Sequence, residues 1–313
     1  MAEKTGLNAP QFQDADKARK YLESQVWPNG PICPHCGVIG KHWTLKGETT
    51  RSGLLKCTDC RLPFTVTVGT VFERSKIPLN KWLLAVFLLC SSKKGMSSHQ
   101  LHRTLGVTYK TAWFMTHRIR KAMETRGFEP MGGSGKIVEA DETYWGTSAV
   151  GKRNKKVGRY IPGGSEKMKI VSLIERGGKA RSFQVPNVNG KTLGSILRGQ
   201  VSKETHLMTD EARAYIKVGS EFSEHSTVTH SAYEYVRGDA HVNTAESFFN
   251  ILKRGLIGTY HHVGEQHLQK YVSEFDFRYN TRAKLGVNDT ERAAIALKGI
   301  TGKRLTYRRT HAQ

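Results

Sequence analysis

Four of the five cysteines in this chain stand as Cys33-Pro-His-Cys36 and Cys57-Thr-Asp-Cys60, two pairs separated by 20 residues. Each pair sets two thiolates on one tight turn, and two such turns supply the tetrahedral four-sulfur shell that a structural Zn²⁺ prefers. A redox site would need only one pair, and disulfides are rare in a cytosolic chain. Cys33, Cys36, Cys57 and Cys60 are therefore expected to hold zinc. His35, between two of them, reads as a surface residue, and Cys90, inside an apolar run, reads as a packed thiol.

A second set is acidic. Asp141 falls on an expected strand, Asp210 ends a later one, and Glu246 lies in the helix that follows, with 35 residues between the last two. Two aspartates and a glutamate converging from separate elements can hold two divalent cations about 4 Å apart, one activating an attacking oxygen and one stabilising the leaving oxygen of a phosphodiester. All-oxygen ligands select Mg²⁺ or Mn²⁺ and not zinc. At about 100° per residue, Asn243, Glu246, Asn250 and Lys253 share one side of the helix 243–255, and Ala245, Phe248, Phe249, Leu252 and Leu256 share the other. Lys253 would overlie the same cleft as Glu246 and pair with a phosphate. Asn243, one turn before Glu246, is the alternative third ligand. Glu139, two residues before Asp141 on the same side of the strand, is the alternative first.

The elements that must position these groups follow from pattern. QFQDADKARKYLESQVW reads as an amphipathic helix, and the region around the cysteine pairs, on to LPFTVTVGTVF, alternates as short strands. Leu79–Ser91 reads as an apolar helix. Ser97 or Ser98 can cap a helix with Leu101 and Leu105 inward, Gly106 permits a turn, and Thr108 can cap a second helix with Ala112, Met115 and Ile119 inward. This is a helix-turn-helix pattern. Tyr109, Lys110, Thr111, His117, Arg118 and Arg120 are expected on the outward face of its second helix, and of these Lys110, Thr111, Arg118 and Arg120 are the expected DNA contacts. The glycine-rich MGGSGK at 131–136 reads as a hinge. Strands then follow at 136–143, at 168–185 as a hairpin turning at Gly177-Gly178, and at 205–210, with helices at 191–199 and 243–255. The domains expected are an N-terminal helix (1–27), a zinc ribbon (28–72), a helix-turn-helix region (73–127), an α+β or α/β catalytic domain (128–298) and a basic tail (299–313), in which Lys303, Arg304, Arg308 and Arg309 either contact DNA or stay disordered.

Charge narrows the partner. The 313 residues carry 49 Lys+Arg against 27 Asp+Glu, a net +22, and 31 glycines with 38% hydrophobic residues exclude a wholly disordered or collagen-like chain. An excess of that size points to a polyanion, because cations that displace counterions from phosphates supply sequence-independent affinity. The longest apolar run, Trp82 to Cys90, is far short of the roughly 20 residues a membrane span needs. Together with an N-terminus that lacks a secretory apolar core, this places the expected location in the cytoplasm.

CPHC…CTDC, LGVTYKTAWFMTHRIRKAM, VEADETYWG, TDEARAY, HVNTAESFFNILKRGLIGTYHHV and YVSEFDFRYNTR, taken in order, resemble the bacterial insertion-sequence transposases of the DDE type that begin with a zinc ribbon, the ISXO2-like group related to the Merlin transposons. The resemblance runs from about residue 28 to 298. It implies a ribonuclease-H-like catalytic domain, Mg²⁺ or Mn²⁺ as cofactor, and an activity that cuts element ends at terminal inverted repeats and joins them to target DNA. It also implies assembly on DNA as a homodimer or larger. Asp141, Asp210 and Glu246 match the three acids, and Lys253 matches the basic residue downstream. Two readings compete with it: a non-catalytic DNA-binding regulator derived from a transposase, and a metal-dependent nuclease without strand transfer.

Overall fold

The structure, a computed structural model, describes residues 6–125, 129–146, 152–153, 160–161, 167–228 and 241–306. The chain divides into two compact units, 126–280 and a discontinuous unit made of 1–125 and 281–313.

The discontinuous unit begins with α1 (Pro10–Gln13) and α2 (Ala15–Val26), two helices where the sequence suggests one. Asp14 explains the break: its backbone is extended and its side chain accepts from Lys17 N–H, a cap that starts a new helix. A three-stranded antiparallel ribbon follows, β1 (His42–Thr44), β2 (Leu55–Cys57) and β3 (Pro63–Phe64). The strand habit expected through Phe72 stops at Phe64. Residues 65–72 form turns instead, with Thr70 pairing with Thr301 in an isolated bridge. Next come α3 (Leu79–Ser91), α4 (Ser98–Leu105) and α5 (Tyr109–Met123).

The helix Asp289–Lys298 packs on α3, α2 and α5, and so belongs to this unit and not to the sheet unit, as the expected boundary at 298 would have it. The basic tail is likewise built in where it is described. Lys303 is buried and its Nζ donates to the carbonyls of Ala122 and Glu124, which terminate α5. Arg308 and Arg309 lie outside the described residues.

The other unit is a five-stranded mixed sheet with helices on both faces. It is formed by β4 (Ile137–Trp145), the short pair β5 (Lys152–Arg153) and β6 (Tyr160–Ile161), β7 (Met168–Glu175), β8 (Ala180–Val185), α6 (Gly190–Gln200), β9 (His206–Asp210), α7 (Arg213–Gly219), β10 (Glu224–Val228), α8 (Asn243–Gly255) and α9 (Glu265–Asn280). The sheet order is β10-β9-β4-β7-β8, with β10, β9 and β4 parallel and β7 antiparallel to both neighbours. This is the layered α/β arrangement expected for a ribonuclease-H-like domain.

Alternation decides which side each residue serves. Val138, Ala140, Val171 and Leu173 pack with Leu193, Leu197 and Tyr215 of α6 and α7, whereas Ile170 and Ile174 pack with Phe248, Leu252 and Phe275 of α8 and α9. The expected hinge at 131–136 is a packed loop. Met131 N–H donates to Gln200 O at 2.7 Å, and Gly133 N–H to Thr205 Oγ1 at 2.9 Å. Gly132, at φ +81°, lies so close to Thr205 that a Cβ would come within 2.2 Å of its hydroxyl, a site only glycine fits. Of the basic run 152–156, residues 154–156 lie outside the described residues.

The edge strand β8 is covered by side chains of α9. Gln269 Oε1 accepts from Gln184 N–H, Asp276 Oδ2 from Ser182 N–H and Asn280 Oδ1 from Ala180 N–H, while Asn280 Nδ2 donates back to Ala180 O. A helix thereby supplies the pairing that another strand would otherwise find on an open edge.

Candidate active site

β4 and β9 run parallel, with pairing that ends at Glu139 opposite Met208. Carried two residues further, that register would bring Asp141 level with Asp210, whose charge reaches it. Asp141 shares the α8 side of the sheet with Glu139, whose carboxylate accepts from the backbone of Thr244 and Ala245. In α8, Ala245, Phe248, Phe249 and Leu252 are buried, while Asn243, Glu246, Asn250 and Lys253 are exposed. The polar row expected from periodicity is therefore present along the exposed side.

The charges of Asp210 and Glu246 both reach Asp141. Burial pushes the Asp141 carboxyl up to about 7; the Glu142 N–H, donating to Oδ1 at 2.7 Å, opposes this, and the negative charges of Glu142, Asp210 and Glu246 add to it. Asp210 Oδ1 accepts from Ala212 N–H at 3.0 Å, which fixes the carboxylate at the strand end. Carboxylates with oxygen as their donor atom fit a hard divalent cation, whose charge would offset the burial and the neighbouring negative charge that raise Asp141. The set is more open than the thiol cluster, which among the described residues is the group of potential ligands whose atoms all lie within 4.8 Å of one another.

Two acids beside the triad have other occupations, and pattern alone did not reveal them. Glu142 faces the opposite side of the sheet and accepts from Tyr215 Oη at 2.8 Å; burial raises the carboxyl, and burial together with Glu142 holds the Tyr215 hydroxyl well above its usual range. Glu139 is fully buried and ion-paired with Arg176 at 2.6 Å. A carboxylate so enclosed offers no oxygen to solvent, so of the two acids on the α8 side of β4 it is Asp141, half-buried, that is open. Alternation places Glu139 on the right side of the strand but does not report its depth.

The four cysteine sulfurs converge as their spacing requires. Cys33 and Cys60 sulfurs lie 3.6 Å apart, as do those of Cys36 and Cys57. Amide N–H groups of Cys60 and, more weakly, Asp59 hold the Cys57 thiol down at about 7, in the range where a metal displaces the proton readily. The donor set is all-thiolate, the shell that suits zinc. His35 is exposed and Cys90 buried, as expected.

In the helical pair, Ser97 caps α4 through Gln100 N–H, Gly106 turns at φ +60°, and Thr108 caps α5 through Thr111 N–H. The outward face proves shorter than expected. Lys110 is exposed and Thr111 half-buried, but His117, Arg118 and Arg120 are buried. From Met115 to Met123 every residue of α5 except Lys121 is buried, and Arg118 and Arg120 bond within the protein. Arg120 donates to Thr116 Oγ1 at 3.0 Å, and Arg118 donates to Leu305 O with its guanidinium 4.9 Å from the Phe114 ring centre. Instead Arg74 and Lys76, absent from the expected set, join Lys110, Thr111 and Arg118 around a cavity of about 320 Å³. Their only signal in the sequence is charge in a turn.

Comparisons with known proteins accord with these features. The ISXO2-like transposase domain matches residues 132–280 and the transposase zinc-ribbon domain matches residues 13–62. Over 288 residues, 88% of this chain and 94% of the relative, the chain is 27% identical to an uncharacterized protein in transposable element ISH50 of Halobacterium salinarum. Over 103 residues, 33% of this chain and 81% of the relative, it is 31% identical to an uncharacterized transposase-like protein of Haemophilus influenzae. Among solved structures, a simian T-cell lymphotropic virus intasome in complex with PP2A regulatory subunit B56 gamma matches at 14% identity and TM-score 0.28, over 57% of this chain and 63% of that one. The Drosophila P element transposase strand transfer complex matches at 11% identity and TM-score 0.27, over 72% of this chain and 64% of that one. The chain thus spans just under two thirds of each of these two structures. With a four-thiol ribbon ahead of a sheet unit that carries the acids, and with both domains matched in that order, the chain belongs to the ISXO2-like transposases with an N-terminal zinc ribbon.

Proposed function

We propose that this protein is a DDE transposase that binds the terminal inverted repeats of an insertion sequence, cleaves DNA at the element ends and transfers the freed 3′-hydroxyl to target DNA. The observation that carries the proposal is the placement of Asp141 on β4 beside β9, which ends in Asp210, with the charges of both Asp210 and Glu246 reaching its buried carboxyl. Asp141, Asp210 and Glu246 would hold Mg²⁺ or Mn²⁺, which when bound activates an attacking oxygen and offsets charge on the leaving one. Asp141 and Asp210 are held on adjacent rigid strands, so their part of the site is set before substrate arrives. Asp210 is fixed further by the Ala212 N–H, and Glu246 projects from α8 with an open face. Lys253, exposed two turns on, would pair with a DNA phosphate. Asn243 shares that face and is the competing third ligand.

Lys110 and Thr111, together with Arg74 and Lys76, offer a basic surface for the DNA backbone. The four-cysteine ribbon contributes a zinc-stabilised binding module, and pairing of two DNA ends calls for at least a homodimer on DNA.

Incubation of the full chain with Mg²⁺ and labelled inverted-repeat ends tests the proposal. Joined products are expected; cleavage alone would favour a nuclease, and binding without either would favour a regulator. Asp210→Ala should abolish cleavage and joining and leave DNA affinity within about twofold, since phosphate contacts dominate that affinity.

A further inference from the structure

The helix that carries Glu246 lacks a cap of its own. Its N-cap residue is Val242, with no side-chain hydrogen bond, so the first N–H groups of α8 must find acceptors elsewhere. They find one on the sheet. Glu139 Oε2 accepts from Thr244 N–H at 2.8 Å and from Ala245 N–H at 3.0 Å, and Oε1 accepts from Thr244 Oγ1 at 2.8 Å. Arg176 donates to Oε1 at 2.6 Å and also to His241 O at 2.9 Å, so the residue that precedes the N-cap is held by the same cation. His241 Nδ1 stands 3.4 Å from the same carboxylate oxygen.

We infer that Glu139 is a positioning residue of the carboxylate centre: by capping α8 from β4 it sets where Glu246 stands relative to Asp141. This rests on the reading of Asp141, Asp210 and Glu246 as the metal-holding acids. The link is short at both ends. Asp141 is two residues along the strand from Glu139, about 6.6 Å, and Glu246 immediately follows the clamped Ala245 in a helix. No flexible segment intervenes on either side, so a shift of the clamp moves one acid against the other. A local Ser, Thr or Asp cap would stabilise the helix equally well, but it would leave the register of α8 on the sheet to apolar packing alone. The fully buried carboxylate is expensive unless every partner is kept, which suits a part that must hold one geometry. Glu139 itself touches neither metal nor DNA in this scheme.

The test uses the full chain, stripped of divalent metal at the carboxylate centre and titrated with Mn²⁺ under electron paramagnetic resonance. The Mn²⁺ dependence of end cleavage and far-UV circular dichroism are followed in parallel. Glu139→Gln should remain folded, bind Mn²⁺ about 10-fold more weakly and need correspondingly more metal for half-maximal cleavage, recovering rate at saturation. Wild-type Mn²⁺ affinity in folded Glu139→Gln would overturn the inference. Should that variant fail to fold, Thr244→Val removes one of the clamp's bonds and leaves the Arg176 pair intact. A weakening of about threefold is then expected, and no weakening overturns the inference. Asp141→Asn separates the two levels. If it binds Mn²⁺ and cleaves as wild type does, the reading of the centre fails; if it loses both while the Glu139 variants are unaffected, only the positioning role fails.

Discussion

Asp141 combines burial with three acidic neighbours, and the consequence for stability has a definite sign. Its folded carboxyl titrates near 7 against an ordinary value of 3.8, so between those pH values the folded state holds a proton that the unfolded state has released. The metal-free protein therefore loses stability as pH rises from about 4 to 7, and the loss is complete above 7. Asp141→Asn should remove it. In the absence of divalent cations the variant is expected to gain roughly 2 kcal/mol over wild type at pH 8, less than the full shift implies because the carboxyl is partly solvated. The gain should shrink toward zero by pH 4. Mg²⁺ should raise the melting temperature of wild type at pH 8 and leave the variant unmoved. A thermal-melt series across pH with and without Mg²⁺ checks all three outcomes. A second pair of residues separates binding from folding. Lys110→Ala should weaken DNA binding without altering the melt, whereas Arg120→Met should destabilise the fold, since Arg120 is buried against Thr116. Both are basic residues of one expected face, and only depth of burial tells them apart.

Among the secondary elements, local rules read well wherever the chain itself supplies the signal. α3 and α8 begin and end where apolar periodicity places them, and the Ser97, Gly106 and Thr108 devices act as caps and turn. The β7–β8 hairpin turns at the expected glycines. Reading failed where a partner remote in sequence decides. Residues 65–72 alternate like a strand yet form turns, and α9 uses Gln269, Asp276 and Asn280 as a rail for β8, which no periodicity announces. That rail makes Asn280→Ala costly, because both the N–H and the carbonyl of Ala180 lose their partner. A loss of roughly 2–3 kcal/mol in urea denaturation is expected, with increased aggregation through the opened edge. The ribbon depends on chemistry in a different way. Its strands are two and three residues long, too short to persist unaided, so zinc removal by chelation or Cys57→Ser should abolish the ribbon's calorimetric transition and leave that of the sheet unit in place.

For the molecule as a whole, the net charge of +22 predicts that DNA affinity falls steeply with salt. A plot of log affinity against log salt should have a slope near −0.9 for each phosphate engaged, and Lys110→Ala should reduce its magnitude by about 1. Composition alone points to a polyanionic partner. The division of the chain was not legible, because the return of residues 281–313 to the N-terminal unit depends on Arg292 reaching Cys90 O and on Lys303 reaching Ala122 O, contacts between segments far apart in sequence. That return makes the order of synthesis matter. As the polypeptide emerges from the ribosome, the sheet unit has all of its own residues available before the older, N-terminal part does. The latter waits for the last helix to lie across α3. Translation cut short between the two would leave a nascent product whose acids are assembled while its proposed grip on nucleic acid is still half made.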